Sequence, residues 1–362
     1  MFSKGLKGIV AAETMISQVD GEKGELLYRG YEIKNLVKGR SFEEISYLLW
    51  YGELPTPAQL TALKNELIKN RYLHDHTFNI LTQLPAEMDL MSVIRTCISS
   101  EGLQTYGWKP TIEQAIRLTS MVPLIISYRT RLLRGQEIVS PSTELGHVAN
   151  YLYMLEGKQP SVAHCDALEM YMILTLEHGM NASTFTARVT ASTESEMVSS
   201  ITSAIGTMKG PLHGGAPAGV LALLEEIDKS EDSTLETIRK KIIRGERLMG
   251  FGHRVYKTID PRSQALKTKL MDLVGEDRWL DLAIEVEYLS IKALEELKPG
   301  RALYTNVEFY AAAIMKAINF DSDLFTPTFT ASRVVGWSAH VLEQAENNTI
   351  FRPESIYIGS RH

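Results

Sequence analysis

Apolar residues recur at intervals of three and four along almost the whole chain of 362 residues, and this spacing limits the possible fold more than any other feature. Such a period places apolar side chains on one face of an α-helix, whereas half-buried strands need an alternation of two. Helices are predicted over residues 168–180, 220–227, 235–248, 265–274, 280–297, 307–318 and 331–345. The sequence therefore predicts a mainly α protein.

Two helix starts carry their own capping signals. Ser41 is followed three residues later by Glu44, which is the pattern of a capping box. Thr56-Pro57 opens a second helix, because proline suits the first turn, where its missing N–H is not needed. Since the first of these helices should stop near Gly52, an antiparallel helix pair is expected.

One region of the chain resembles strand rather than helix, and it covers residues 9–31. Asp20-Gly21-Glu22-Lys23-Gly24 contains turn-forming residues and separates two short runs that alternate weakly. A small β-hairpin is therefore predicted near the N-terminus.

The composition excludes several classes of protein. Hydrophobic residues make up 44% and charged residues 23% of the chain, values that do not fit disordered or collagen-like sequences. The net charge of −6 offers no global positive field for nucleic acid or anionic lipid. No stretch approaches the roughly 20 apolar residues of a membrane helix, and no signal peptide is expected. The two cysteines, Cys97 and Cys165, favour a reducing compartment, so a cytoplasmic location is expected.

The sequence contains only weak signals for domain boundaries. A glycine cluster begins at Lys209-Gly210-Pro211, and a polar, proline-containing return follows at residues 320–327. These positions predict a large helical domain of residues 1–209 and 319–362, with a smaller domain of residues 210–318 inserted into it.

Three segments concentrate the chemistry, and the first surrounds His213. Glycines on both sides, in Gly210-Pro211-Leu212-His213-Gly214-Gly215, leave the ring uncrowded. The segment also precedes a helix N-terminus, which favours developing negative charge. A flexible hinge with an incidental histidine is about equally compatible with this spacing.

The second segment, Gly250-Phe251-Gly252-His253-Arg254, is followed closely by Lys257 and Arg262. A dinucleotide-binding fingerprint is not completed here, and no strand precedes it. The cluster of cations suits a ligand rich in carboxylates or phosphate, whereas a solvated basic turn is the plainer alternative.

The third segment, Tyr304-Thr305-Asn306-Val307-Glu308-Phe309-Tyr310, opens an apolar helix. Glu308 lies between two apolar side chains, where desolvation could raise its pKa toward that of a general base. Without further context, a glutamate that favours the helix dipole is the preferred interpretation.

Taken together, these segments resemble the citrate synthase family, in particular its shorter bacterial type. The resemblance extends in order over nearly the whole chain. Its matching segments are residues 210–216, 252–262, 306–310, 178–185, 332–337 and 351–353, with an N-terminal hairpin at residues 20–33. The resemblance implies a two-domain helical fold and a homodimer. It also implies an acyltransferase that joins oxaloacetate to the methyl carbon of acetyl-CoA and then releases citrate and CoA.

The resemblance also implies a role for individual residues. His213 would stabilise the enolate, Glu308 would remove the methyl proton, and His253 would polarise the ketone of oxaloacetate. The implied oxaloacetate ligands are His178, Arg262, Arg333 and Arg352, the last reaching across from the partner subunit. The implied CoA contacts are Arg247, Leu248, Gly250 and Asn306. No metal or further cofactor is expected, with acetyl-CoA serving as co-substrate.

One position departs from the family pattern, because Glu308 stands where aspartate is usual. The extra methylene shifts the carboxylate by about a bond length. A catalytically weak paralogue that binds oxaloacetate or CoA is therefore one alternative, although both histidines and three arginines argue against it. The other is a 2-methylcitrate synthase that uses propionyl-CoA, since one methyl group in an apolar pocket changes binding by only ~1–3 kcal/mol.

The remaining histidines look structural. His147 and His164 are expected in or near a loop, and His340 on a helix face. His74 and His76 form a lone pair in a polar stretch that lacks the spacing of zinc ligands.

Overall fold

The computed structural model describes residues 2–253, 255–271, 277–300 and 303–361, without the side chains of residues 216–218. The mainly α fold predicted from the sequence is confirmed. The helices within these residues are α1 (Ile33–Leu36), α2 (Phe42–Tyr51), α3 (Pro57–Lys69), α4 (Asp75–Gln83), α5 (Leu90–Ser99), α6 (Ile112–Leu133), α7 (His147–Glu156), α8 (Val162–Thr175), α9 (Ala182–Ser192), α10 (Met197–Met208), α11 (Ala216–Asp228), α12 (Thr234–Ile243), α13 (Pro261–Met271), α14 (Arg278–Leu297), α15 (Val307–Ala317) and α16 (Phe325–Glu346).

The predicted N-terminal hairpin is present. Strand β1 (Ser17–Asp20) pairs antiparallel with β2 (Glu25–Tyr28), and β2 pairs with the short β3 (Tyr31–Glu32). Tyr28 is fully buried, and its hydroxyl donates to the carbonyl of Glu177 at 2.7 Å. The hairpin is therefore anchored to the helical core.

Both predicted helix starts are confirmed. Ser41 and Glu44 form a reciprocal capping box at α2, and Thr56 accepts from the third residue of α3, with Pro57 in the first turn. Gly52 ends α2 in the left-handed conformation at φ +87°. Helices α2 and α3 pack against each other, as expected for a helix pair.

Some helix boundaries differ from the prediction for local reasons. Helix α8 begins at Val162 because Ser161 caps it, and it ends at Thr175, before Gly179 turns left-handed at φ +60°. The helix predicted over 235–248 ends at Ile243, before Gly245 at φ +76°.

Two further boundaries shift at the ends of the predicted ranges. Helix α16 begins at Phe325, because Pro327 fits the first turn of a helix. Helix α13 begins at Pro261, before the predicted start at residue 265; it is described as far as Met271, and residues 272–274 of the predicted range lie outside the described residues.

Helix α16 is the centre of the core, since it packs against α6, α8, α9 and α10 and is buried along most of its length. Helices α11 to α15 pack mainly against one another, although α13 and α15 also contact α8. The division into two domains stays a prediction. In the part of the chain that the structure describes, no helix combines the length and the apolar character needed to cross a membrane.

The five histidines named above as structural lie in helices or at a helix start. His147 begins α7 at the end of a loop, buried with its ring stacked on Phe42 at 4.6 Å. His164 lies in the first turn of α8, and His340 is fully buried in α16. His74 stacks on His76 with 5.5 Å between ring centroids.

Candidate active site

Two segments that are far apart in the sequence pair to form the floor of the candidate site. Phe251 and Thr305 make an antiparallel bridge, and the Asn306 amide donates to the Gly250 carbonyl at 2.9 Å. The side chain of Asn306 donates to the Gly252 carbonyl, also at 2.9 Å. This pairing brings the segment that carries His253 next to the start of α15, which carries Glu308.

The glycines of the second segment have a structural purpose. Gly250 and Gly252 are left-handed, at φ +87° and +84°. A Cβ at Gly250 would lie 2.8 Å from the Phe309 ring, so this position needs glycine for packing. The contact with CoA implied for Gly250 stays a prediction.

His253 is held by the backbone of its own loop. Its Nδ1 accepts hydrogen bonds from the amides of Val255 and Tyr256, both at 3.0 Å. Burial, with help from Arg262, lowers the pKa of His253 to about 4, so the ring is neutral at neutral pH. Because Nδ1 accepts, the ring proton lies on Nε2, and His253 presents an N–H donor.

The expected cluster of cations around His253 is only partly formed. Lys257 pairs with Glu22 of the hairpin instead of pointing into the site. Arg254 lies outside the described residues. Arg262 does approach the site, with Nη2 3.4 Å from Nε2 of His253, but with the proton on Nε2 this contact joins two donors and is not a hydrogen bond.

Asp260 is a site residue that the sequence did not single out. It is buried, and its carboxylate accepts from Nε and Nη2 of Arg262 at 3.1 and 2.9 Å. It also accepts from the amide of Val307 at 3.1 Å. Asp260 therefore joins the start of α13 to the start of α15 and fixes the Arg262 guanidinium. Its position before Pro261, at a helix start, was the available signal.

His178 lies next to His253, with 5.6 Å between the two ring centroids. Its Nε2 is 3.1 Å from the hydroxyl of Tyr256. Burial, followed by the positive charges of Arg262 and Arg333, lowers the pKa of His178 well below its usual value. The ring is therefore a neutral hydrogen-bonding group.

Arg333 is buried on α16, with only 1% of its surface exposed. Within the described chain its hydrogen bond runs from Nε to the carbonyl of Thr175 at 2.6 Å, and its guanidinium lies 4.7 Å from the Phe329 ring centroid. Burial lowers the pKa of Arg333, while the nearby Glu177 opposes this change. A guanidinium bonded in this way retains donors that suit a carboxylate ligand.

His213 is held by side chains from two long helices. Its Nε2 is 2.7 Å from Oγ of Ser183 at the start of α9, and Nε1 of Trp337 on α16 donates to the same oxygen at 3.0 Å. Burial, with a contribution from Arg333, lowers the pKa of His213 to about 4. The resemblance pointed to the segments that contain Ser183 and Trp337, but their roles were missed.

Glu308 lies in the first turn of α15, where Asn306 caps the helix by accepting from the Glu308 amide at 3.1 Å. Removal from water raises the pKa of Glu308 to about 7, with Arg262 and Arg333 opposing the rise and Asp260 adding to it. A simple dipole contact would favour the charged form. The surroundings of Glu308 instead suit a general base.

The structure does not bring every predicted residue into this cluster. Arg352 is exposed on the tail that follows α16, beside a cavity of about 960 Å³ lined by α9, the end of α16 and residues of the N-terminal segment. Among the described residues, no contact joins it to His178, Arg262 or Arg333. Arg247 is exposed and Leu248 is buried, on the approach to Gly250.

The arrangement as a whole combines three neutral histidines and a weakly acidic carboxyl group with two buried arginines. Such a set can bind an anionic carbonyl compound, remove a proton from carbon, and supply donors to developing oxyanions without metal ligands.

Comparison with known proteins agrees with this chemistry. A family model described as citrate synthase, C-terminal domain, matches residues 5–354. A citrate synthase of Haloferax volcanii is 38% identical over 371 residues, covering 99% of this chain and 96% of that protein. A 2-methylcitrate synthase of Shewanella oneidensis is 39% identical over 361 residues, covering 98% of this chain and 94% of that protein.

Solved structures match over the same length. The crystal structure of citrate synthase from Thermotoga maritima has a TM-score of 0.89 and 37% identity, covering 100% of this chain and 97% of that one. The ternary complex of carboxymethyl coenzyme A and oxaloacetate with citrate synthase from Thermoplasma acidophilum has a TM-score of 0.90 and 31% identity, with the same coverage. This chain therefore belongs to the citrate synthase family of acyltransferases.

Proposed function

We propose that the protein is a citrate synthase, which condenses acetyl-CoA with oxaloacetate and hydrolyses the resulting thioester to citrate and CoA. The observation that carries the proposal is the pairing of the His253 segment with the start of α15, which holds Glu308. Burial raises the pKa of Glu308 to about 7, and His213 and His253 are neutral at that pH. This combination suits proton removal from carbon near neutral pH.

In the first step, Glu308 takes a proton from the methyl group of acetyl-CoA while His213 donates a hydrogen bond to the thioester oxygen. The Ser183 hydroxyl, 2.7 Å from Nε2 of His213, donates to Oδ1 of Asn181 at 2.8 Å. For His213 to donate from Nδ1, its Nε2 must accept, so in this step the hydroxyl turns its one proton from Asn181 to Nε2. Asn181 then keeps the Thr184 amide as a donor, at 3.1 Å.

In the second step, the enol carbon attacks the ketone carbon of oxaloacetate. His253 donates from Nε2 to the ketone oxygen and gives it a proton as the carbon–carbon bond forms, because its Nδ1 is occupied by two backbone amides. Water then attacks the citryl thioester, the carbon–sulfur bond breaks, and CoA leaves as the thiol. Every role is supplied by a side chain, so the reaction needs no metal or further cofactor.

The two carboxylates of oxaloacetate are bound by arginines. Arg262 and Arg333 lie within the cluster, and His178 offers a further hydrogen bond. Arg352 serves the site of the partner subunit in a homodimer, which agrees with its position outside the cluster of its own chain. The exposed apolar side chains of Ile356 and Ile358, 74% and 94% exposed on the same tail, also suit a second copy of the chain.

CoA is proposed to lie along the segment of Arg247, Leu248 and Gly250 and beside Asn306, at the edge of the same site. The composition and the two free cysteines favour a cytoplasmic location. Residues 210–318 form the smaller domain in this proposal, with the remainder forming the larger one.

A shared site makes a testable prediction about mixed subunits. Arg352→Ala and His213→Ala chains should each be inactive alone, because each lacks one component of every site. After subunit exchange, part of the turnover should return, since some heterodimer sites then contain both intact residues. Exchange demonstrated by mass, with no turnover recovered, would exclude the sharing.

The second candidate function is 2-methylcitrate synthesis, which is favoured by the 2-methylcitrate synthase relative at 39% identity. Thiol release from acetyl-CoA and from propionyl-CoA, each with and without oxaloacetate, separates the two. A citrate synthase should show the higher kcat/KM with acetyl-CoA. A higher value with propionyl-CoA would favour the second candidate, and no oxaloacetate-dependent release with either thioester would reject both.

A further inference from the structure

The turn of the N-terminal hairpin lies against the loop that follows His253. The amide of Lys257 donates to the carbonyl of Gly21 at 2.9 Å, and the side chain of Lys257 pairs with Glu22. The turn itself is ordered by Asp20, whose carboxylate accepts from the amides of Glu22 and Lys23 at 3.1 and 3.0 Å. A preformed turn therefore meets the His253 loop through both backbone and side-chain contacts.

The two glycines of the turn allow this close approach. A Cβ at Gly21 would overlap the carbonyl oxygen of Val255. A Cβ at Gly24 would lie 2.7 Å from Cγ2 of Thr258 and 2.8 Å from the carbonyl oxygen of Ile259. Since real Cβ atoms do not approach backbone so closely, a side chain at either position would push the loop away.

The contact is linked to the His253 ring through consecutive amides. Those of Val255 and Tyr256 donate to Nδ1 of His253, and the next amide, that of Lys257, donates to the hairpin. A displacement of the loop at Lys257 therefore moves the two amides that fix the tautomer and the orientation of the ring.

We infer that the hairpin turn positions His253. The turn holds the loop in the place where Nε2 of His253 faces the ketone of oxaloacetate. The inference rests on the proposed function, in which His253 polarises that ketone. Gly21 and Gly24 act through the loop and touch no substrate. In the proposed division, the hairpin belongs to the large domain and the loop to the small one, so the contact also joins the two domains beside the site.

Alanine variants with matched controls test this positioning. Gly24→Ala is matched by Gly30→Ala in the same hairpin, since both glycines are left-handed, at φ +68° and +85°, but no atom lies within 4 Å of a Cβ at Gly30. Gly21 does not have a left-handed backbone, so Gly21→Ala tests the contact without backbone strain. Its control is Gly107→Ala, because no atom lies within 4 Å of a Cβ at Gly107.

The kinetic readout is kcat and the separate KM values for oxaloacetate and acetyl-CoA, with the melting temperature of each variant. Gly21→Ala and Gly24→Ala should lower kcat/KM for oxaloacetate at least tenfold and leave the KM for acetyl-CoA within about threefold. Gly30→Ala and Gly107→Ala should stay within about twofold of wild type for both substrates. Equal kinetics in Gly24→Ala and Gly30→Ala would overturn the inference. If Gly21→Ala fails to fold, the comparison of Gly24→Ala with Gly30→Ala is sufficient by itself.

Hydrogen exchange gives a readout that does not depend on activity. The amides of residues 255–257 should exchange at least tenfold faster in Gly24→Ala than in Gly30→Ala, because the contact that holds the loop is lost. Unchanged exchange would contradict the positioning. If the wild-type protein released no thiol, the proposed function would fail while the exchange experiment still reported whether the hairpin holds the loop.

Discussion

The two histidines proposed as catalytic have the same lowered pKa, about 4, but the protein holds them in different ways. His213 is held by side chains, Ser183 on α9 backed by Trp337 on α16. His253 is held by backbone amides of its own loop. One half of the site is therefore built on packed helices, and the other depends on loop geometry.

The arginines follow the same division. Arg333 sits on α16 with a carbonyl as its hydrogen-bond partner in the described chain, whereas Arg262 is bound to the carboxylate of Asp260. The helical half thus offers a cation whose donors are available to substrate. In the loop half, the cation is already part of an ion pair, so Arg262 has a structural role in addition to the binding role proposed for it.

The largest difference between the halves should appear when each arginine is replaced by lysine. Arg333→Lys should raise the KM for oxaloacetate about tenfold to a hundredfold, because charge-assisted hydrogen bonds worth ~1.5–3 kcal/mol are lost. Its melting temperature should change little.

Arg262→Lys is the matched variant for the loop half. It should also lower the melting temperature, since Asp260 is left buried with fewer partners. Steady-state kinetics and thermal unfolding of both variants check the prediction. Equal destabilisation by the two substitutions would contradict the division.

A smaller effect is expected from Ser183→Ala, which removes the side-chain support of His213. We expect kcat to fall about tenfold, the usual worth of one hydrogen bond to a reacting group, with the KM for oxaloacetate nearly unchanged. Val255→Ala is the matched change beside His253, and it should stay within about twofold because it keeps the amide. A larger loss in Val255→Ala than in Ser183→Ala would reverse the comparison.

The pH profile of kcat/KM should show one limb that is caused by a group of the site, the carboxyl group of Glu308. Glu308 must be ionised to accept a proton, so kcat/KM should rise with pH through about 7 and fall about tenfold per unit below that value. Both histidines stay neutral above about pH 4 and add no limb between pH 5 and 8. A profile that is flat from pH 5.5 to 8 would contradict this assignment.

Local features of the fold were predictable from the sequence, and long-range ones were not. The start of α2 follows from Ser41 and Glu44, since a capping box involves only neighbouring residues. Helix α6 was missed, because it is buried on most sides and contains Pro123, so it lacks the one-sided pattern of a surface helix.

The residues of the candidate site also divide into those that the local sequence predicts and those that only long-range contacts reveal. Flanking glycines single out His213 and His253 in the sequence, because that signal is local to each segment. The roles of Ser183 and Asp260 could not be predicted, because serine and aspartate are common and only the fold shows what they contact. The pairing of Phe251 with Thr305, which joins His253 to Glu308, depends on residues far apart in the chain.

The most direct test of the mechanism is whether Glu308 removes the methyl proton. Exchange of the acetyl-CoA methyl hydrogens with deuterium oxide, measured in the presence of a dicarboxylate that lacks the ketone, reports this step without condensation. Glu308→Gln should lower the exchange rate by about 10²–10⁴, the usual worth of general-base catalysis, with oxaloacetate affinity nearly unchanged. Glu308→Asp should retain part of the exchange rate, because a carboxylate remains but is displaced by about a bond length. Exchange at the wild-type rate in Glu308→Gln would contradict the assignment of Glu308 as the base.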